Sequence, residues 1–241
     1  STPWAAAGAL AMGASYLVTG SVNQSCVEAG TSDAVRAMLA RAQQADVAMA
    51  PAADMFEMGV KVQVLKRGTM FAMRAAKLYE YYRAHGSLEQ IPETDRQSLE
   101  KTILRAPVAT VWDQTRSFFE RRDPAQIARA ESDPKHKMAL VFRWYLGQSS
   151  NWANVGEPSR TVDYQVWCGP AMAAFNDWVR GSFLEQAENR RVATISLNIL
   201  YGASVLTRAR FAAIQGVTPP PGVPRLSPLQ REEIENRNAG L

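Results

Sequence analysis

Thr19, Gly20 and Ser21 place two hydroxyls on either side of a residue with no Cβ, directly after the short apolar run Tyr16 to Val18. A run of that kind reads as a fully buried parallel strand, and a loop at the carboxyl end of such a strand is where barrels and doubly wound sheets hold ligands. Gly20 would let the backbone come close to a bound group, and the hydroxyls would donate to it. The chemistry this suits is a phosphate contact; an ordinary strand-to-loop turn has the same residues, and the motif leaves both readings open. The other candidates are weaker. His85 and His136, the two histidines, sit at a helix end and in an N-terminal turn beside charges, with no adjacent base or nucleophile, so exposed polar roles are expected. Glu28, Asp54 and Glu57 read as solvated or capping carboxylates. Cys26 and Cys168 lack the C-x-x-C or histidine spacing of a zinc site, and a disulfide framework needs more cysteines, so no metal and a reducing, cytoplasmic setting are expected. No residue is assigned a catalytic role.

The elements that must position the hydroxyl loop begin at Thr2-Pro3, an N-cap followed by a first-turn proline, which predicts a helix over Trp4 to Met12 stopped by Gly13. Two further strands are predicted at Val47 to Met49 and Val60 to Leu65, the latter from the alternation of Val60, Val62 and Val64 with Lys61 and Gln63. Ser32-Asp33 caps a helix through Gln43, and Ala52 to Met58 reads as a short helix ended by Gly59. Beyond residue 70 almost everything has helical period: Met70 to Arg83, Glu93 to Leu104, Val108 to Arg121, and Lys135 to Leu146 after the Asp133-Pro134 start. A polar loop is expected over Gly147 to Arg160, a helix after Cys168-Gly169-Pro170, a charged connector at Glu185 to Arg191, and a most-buried helix at Val192 to Leu206. Aromatic residues at helical spacing are expected to build core. The tail from Gly216 carries Pro219, Pro220, Pro221 and Pro224 and reads as semi-rigid and extended before a short charged helix at Pro228 to Glu235. This divides the chain into an α/β N-terminal part (1–70), a helical part (71–215) and a proline-rich tail (216–241), predominantly helical overall.

Composition narrows the function classes. A chain of 241 residues with 46% hydrophobic and 21% charged content is long enough for one large core or two small ones. Its net charge of +4, spread among acids, leaves no nucleic-acid footprint. Val192 to Leu206 is interrupted by Thr194, Ser196, Asn198 and Ser204 and falls short of the ~20 apolar residues of a membrane helix. Nothing at the start reads as a secretory signal, and a strand as apolar as Tyr16 to Val18 needs neighbours this sequence does not supply, so the chain is expected to begin inside a fold.

Four runs carry a resemblance: VTGSVNQSCVEAGTSDAV, DVAMAPAADMFEMGVKVQVLKRGTMFAMRAAKLYE, RDPAQIARAESDPKHKMALVFRWYLGQSS and DYQVWCGPAMAAFNDWVRGSFLEQAENRRVATISLNILYGASVL. In this order they resemble the C-terminal half of the trans-acting enoyl reductases of polyunsaturated fatty acid synthases and of polyketide synthases that recruit acyltransferases in trans, over residues 2 to 215. Nitronate monooxygenase-like flavin barrels share only the strand and phosphate loop.

The resemblance implies the C-terminal end of a (β/α)8 barrel, truncated here, followed by a mainly helical extension. It implies FMN as cofactor and NADPH as reductant, with hydride delivered to an α,β-unsaturated thioester on an acyl carrier protein within a synthase. On that reading Trp4 to Met12 is the seventh barrel helix, Tyr16 to Val18 the eighth strand, and Thr19, Gly20 and Ser21 contacts of the flavin phosphate. Asn23 and Gln24 then lie at the barrel mouth near the ring or substrate. The glycine pair that the family places before the position of Thr2 is absent, and strands one to six with the residues that assist hydride transfer are expected upstream. The alternatives are a nitronate monooxygenase-like flavin oxidoreductase and a non-catalytic helical interaction module descended from such a barrel.

Overall fold

The computed structural model describes residues 1–218, 223 and 226–239. In chain order the helices are α1 (Pro3–Ala11), α2 (Ser21–Gln24), α3 (Asp33–Ala40), α4 (Phe71–Ala84), α5 (Glu93–Leu99) and α6 (Val108–Arg122). They continue as α7 (Pro124–Ser132), α8 (Pro134–Val155), α9 (Pro170–Val179), α10 (Val192–Ile214) and α11 (Arg231–Ala239). Two strands, β1 (Val47–Pro51) and β2 (Lys61–Leu65), pair with each other. The chain folds as two compact units. One combines residues 1–47 with 168–241, and the other is the uninterrupted stretch 48–167 between them. The units divide at 47/48 and 167/168, whereas the sequence pattern turns helical beyond residue 70.

In the first unit local signals set the helix starts. Thr2 accepts from the Ala5 N–H at 3.3 Å and Ser32 from the Val35 N–H at 3.3 Å, so both capping residues act as their types predict. Helix α1 lies along α10 at very short range: a Cβ built on Gly202 would stand 2.7 Å from Pro3 Cβ, with Leu226 Cδ1 at 3.2 Å. The tail is tied down by side chains. Asn198 Nδ2 donates to the Leu229 carbonyl at 2.8 Å and its Oδ1 accepts from the Leu229 N–H at 2.7 Å, while Trp178 Nε1 donates to the Leu226 carbonyl at 2.7 Å. Ile234 of α11 is buried. Pro219, Pro220, Pro221 and Pro224 lie outside the described residues.

The second unit is built on an aromatic core. Phe56, Phe71, Leu78, Leu104, Phe142 and Tyr145 are wholly buried, with Phe56 edge-on to Phe142 at 6.3 Å and Phe71 stacked on Tyr145 at 6.2 Å. Beside it Asp163, also wholly buried, collects three guanidinium groups and a phenol. Arg74 pairs with Oδ1, Arg160 Nη1 stands 3.3 Å and Arg105 Nη2 3.7 Å from Oδ2, and Tyr145 donates to Oδ1 at 2.8 Å. Burial and the Asp163 charge push the Tyr145 phenol up. Arg160 also donates to the Ile103 and Leu104 carbonyls at the end of the π-turn Glu100–Leu104, and Arg105, whose φ is 55°, donates to the Ser159 carbonyl at 2.6 Å.

Several expectations are corrected. Tyr16 to Val18 forms no strand: it is extended chain without a ladder, with Tyr16 78% and Val18 85% exposed, because no other strand of the described residues pairs with it. The predicted polar loop from Gly147 is helical up to Val155. Ser149 is buried and returns its hydroxyl to the Tyr145 carbonyl at 2.8 Å, and the helix stops only at Gly156, where φ is 73°. Ala52 to Met58 is a series of turns around buried Phe56 rather than a helix. Helix α10 is buried on one face, at Ile195, Asn198, Ile199, Gly202 and Ala203, with Leu200 and Phe211 exposed; α8 is the more deeply buried helix. Phe118 is 48% exposed and does not build core. Among the described residues no helix is long and apolar enough to cross a membrane.

Candidate functional site

The candidate loop follows α1 in the first unit. Thr19 donates its hydroxyl to Asn23 Oδ1 at 2.9 Å, which closes the single turn α2 from two residues before its start. Gly20 precedes α2 with φ −103° and ψ −78°, and a Cβ added there would meet nothing within 4 Å. The fold therefore does not itself require glycine at this position. Ser21 Oγ accepts from the Gly169 N–H at 2.9 Å, which ties α2 to the residue that precedes α9; its own proton is left to donate elsewhere. Gln24 is half-buried and closes the turn through its N–H to the Gly20 carbonyl at 3.1 Å. Of the five predicted residues, Thr19 alone lines the neighbouring cavity of about 460 Å³, together with Ala5, Leu10, Tyr16, Val18 and Ile199.

Beneath the loop lies a group that sequence reasoning missed. Arg190 is wholly buried, and its guanidinium donates to the Leu184 carbonyl at 2.9 Å, Asn176 Oδ1 at 3.0 Å, the Glu185 carbonyl at 3.3 Å and Ser25 Oγ at 3.4 Å. Its main-chain carbonyl accepts from the Val27 N–H at 2.9 Å. Ser25 in turn donates to the Val22 carbonyl at 2.7 Å, so Arg190 holds the end of α2 from below. Each of these acceptors is neutral, and burial pulls the guanidinium down to about 10. The sequence gives no sign of this role, since Arg190 sits in a charged run that reads as a solvated connector.

The cysteines flanking the site are free and buried. Burial, with Glu28, raises the Cys26 thiol to about 11, and burial, with Asp46, raises Cys168 likewise. Thiols so far from ionisation are poor nucleophiles at neutral pH. His136 is also buried, contrary to expectation, with oxygen partners at both ring nitrogens. Glu57, expected as a solvated carboxylate, is one of these partners.

The chain is similar to segments of longer biosynthetic proteins. It is 52% identical over 211 residues to a polyunsaturated fatty acid synthase subunit from Thraustochytrium, a match that covers 86% of this chain and 14% of that protein. It is 43% identical over 213 residues to the polyketide biosynthesis protein PksE of Bacillus subtilis, covering 88% and 27%. Its homologues thus serve fatty acid and polyketide biosynthesis. The enoyl reductase domain of MlnA, from the macrolactin biosynthesis cluster of Bacillus amyloliquefaciens, superposes with a TM-score of 0.82 at 39% identity, over 88% of this chain and 48% of that one. The chain therefore spans about half of that solved structure and a much smaller share of the two curated relatives. Residues 85–164, all in the second unit, match the family described as [Acyl-carrier-protein] S-malonyltransferase, inserted helical domain.

Proposed function

We propose that the chain is the C-terminal part of an FMN- and NADPH-dependent enoyl reductase that acts on α,β-unsaturated acyl thioesters on acyl carrier protein, in polyunsaturated fatty acid or polyketide biosynthesis. The observation that carries this reading is the likeness to the MlnA enoyl reductase domain over nearly the whole chain. The exposed apolar stretch Tyr16 to Val18 supports it. In a barrel this stretch would gain ladder partners and lose its exposure once the upstream strands were in place.

The loop residues fit a phosphate. Gly20 leaves the main chain open to an approaching oxygen, the Ser21 hydroxyl has a proton to donate, and Thr19 faces a cavity. In the proposed holoenzyme the Ser21 hydroxyl and the main-chain N–H groups of Thr19 and Gly20 would donate to the FMN phosphate, the Thr19 hydroxyl proton being engaged by Asn23, with Asn23 and Gln24 toward the barrel mouth. When bound there, FMN would supply the hydride chemistry, with NADPH as its reductant. This chain's residues bind and orient: Asn23 fixes the Thr19 hydroxyl, and Arg190 keeps α2 in place through Ser25.

Co-expression of the chain with the upstream portion found in its relatives is expected to yield a yellow complex that oxidises NADPH when given a crotonyl thioester. A colourless complex with no NADPH oxidation overturns the reading. Within that complex Gly20→Val should reduce flavin retention about tenfold, some 1.4 kcal/mol, by filling the space over the main chain. The thermal unfolding of the isolated chain should be unaffected, since the Cβ meets nothing there. Unchanged flavin content would show that Gly20 serves the turn alone.

A further inference from the structure

We propose that His136 is a proton-operated switch that sets the conformation of the α6–α7 corner in the helical unit. Its ring is 1% exposed and meets an oxygen at each nitrogen: Glu57 Oε1 lies 3.0 Å from Nδ1 and Gln126 Oε1 2.9 Å from Nε2. A carboxylate can only accept. The carboxamide could turn its nitrogen to the ring, but Gln126 Nε2 is already engaged, donating to Asp123 Oδ2 at 3.0 Å. The polarity of the whole chain of contacts is therefore fixed from Asp123. In this arrangement both ring nitrogens are donors, and the ring carries two protons.

The same contact shows in the backbone at Asp123. This residue occupies the N-cap of α7, ahead of Pro124, yet its side chain caps no backbone N–H. Asp133, at the equivalent place before Pro134, accepts from the His136 N–H at 3.0 Å. The Asp123 carboxylate is held away from its helix by Gln126.

Loss of one ring proton forces a choice. Nδ1 keeps its hydrogen, because a lone pair facing the Glu57 carboxylate would be repelled. Nε2 becomes an acceptor against Gln126 Oε1, and Gln126 must turn its amide to donate. That sets the carboxamide oxygen against Asp123, which lets go and swings to the Ala125 N–H as an N-cap, the Gln126 N–H already donating to the Asp123 carbonyl at 3.1 Å. In the second state the carboxamide oxygen of half-buried Gln126 is left to solvent, so the corner has two defined arrangements. The charged groups around the ring are Glu57 from the β1–β2 connection, Asp123 at the N-cap of α7 and Arg129 within α7, and Asp133 at the N-cap of the ring's own helix. Arg129 Nη2 stands 3.8 Å from Glu57 Oε1. From α4 comes Tyr82, whose phenol burial and Glu57 raise, with the Lys135 ammonium 4.3 Å from its ring centroid.

Ring ¹⁵N and side-chain amide spectra of the 241-residue chain between pH 5 and 9 test this, with half-buried His85 as the comparison. Both His136 nitrogens are expected to be protonated at pH 5. As pH rises, Nε2 alone should lose its proton, with the Gln126 side-chain amide and the backbone N–H group of Ala125 shifting in step. A ring singly protonated at pH 5, deprotonation at Nδ1, or titration that leaves Gln126 unmoved would overturn the proposal. Gln126→Glu, at a half-buried position, puts a second carboxylate at Nε2. It should hold both protons to a pH at least one unit higher, a tenfold shift, and an unshifted titration would also overturn it.

Discussion

Asp163→Asn should cost the helical unit about 3–5 kcal/mol, read as a lower midpoint in guanidinium unfolding followed by tryptophan fluorescence. Asparagine keeps the shape and can still accept from the Tyr145 hydroxyl, so little packing is lost. What is removed is the single negative charge shared by Arg74, Arg160 and Arg105, whose side chains are 14%, 13% and 36% exposed. Two of these guanidinium groups are thereby left largely buried without a counter-charge, the arrangement that makes breaking a buried pair costly. Arg105 also holds the Ser159 carbonyl from a left-handed backbone position, so the segment around the π-turn should loosen with it. A loss under about 1 kcal/mol would mean that the carbonyls of Ile103, Leu104 and Ser159 suffice to hold the arginines.

Gly202→Val should separate α1 from α10 and destabilise the first unit by about 1–3 kcal/mol, the usual cost of overpacking. Intrinsic propensity argues the opposite sign, since glycine inside a helix is about 1 kcal/mol less favourable than alanine. The decisive magnitude is the 2.7 Å between a Cβ at this position and Pro3 Cβ, with Pro3 Cγ at 2.8 Å. The proline ring cannot fold out of the way, so the helices must move apart. Backbone hydrogen exchange in Trp4 to Ala11 should rise relative to the rest of α10 if α1 undocks. Equal stability in the variant would show that α1 shifts along α10 at no cost.

What could be read from the sequence was what local chemistry decides. Thr2, Ser32 and Asp133 are caps because an oxygen on a short side chain reaches the N–H three residues on, whatever surrounds it. The alternation at Val60 to Leu65 gave a strand for the same reason. Gly147 to Val155 looked like a loop because Ser149, Ser150 and Asn151 are polar. Only the burial of Ser149 under α8's neighbours, with its hydroxyl turned back to the helix, makes that stretch helical. Tyr16 to Val18 failed in the other sense, since its apolar character is real but a ladder needs a partner. In the candidate site the hydroxyl turn from Thr19 was visible, whereas Arg190 was not, because its partners Ser25, Asn176 and Leu184 meet only in three dimensions. The same is true of Asp163 and of His136, whose partner Glu57 is 79 positions away.

The interruption of the first unit by the stretch 48–167 governs the order in which this chain can fold as it leaves the ribosome. Ser21 cannot meet Gly169, 148 positions later, until the whole helical stretch has been synthesised, and the chain entropy of closing a loop that long grows as the logarithm of its length. The inserted unit is continuous and its contacts are nearer in sequence, so it can collapse during synthesis and shorten the effective loop for the unit around it. Defects in the insert should then surface as aggregation of the waiting helix α1, whose packing partner α10 lies beyond the insert and is still being made.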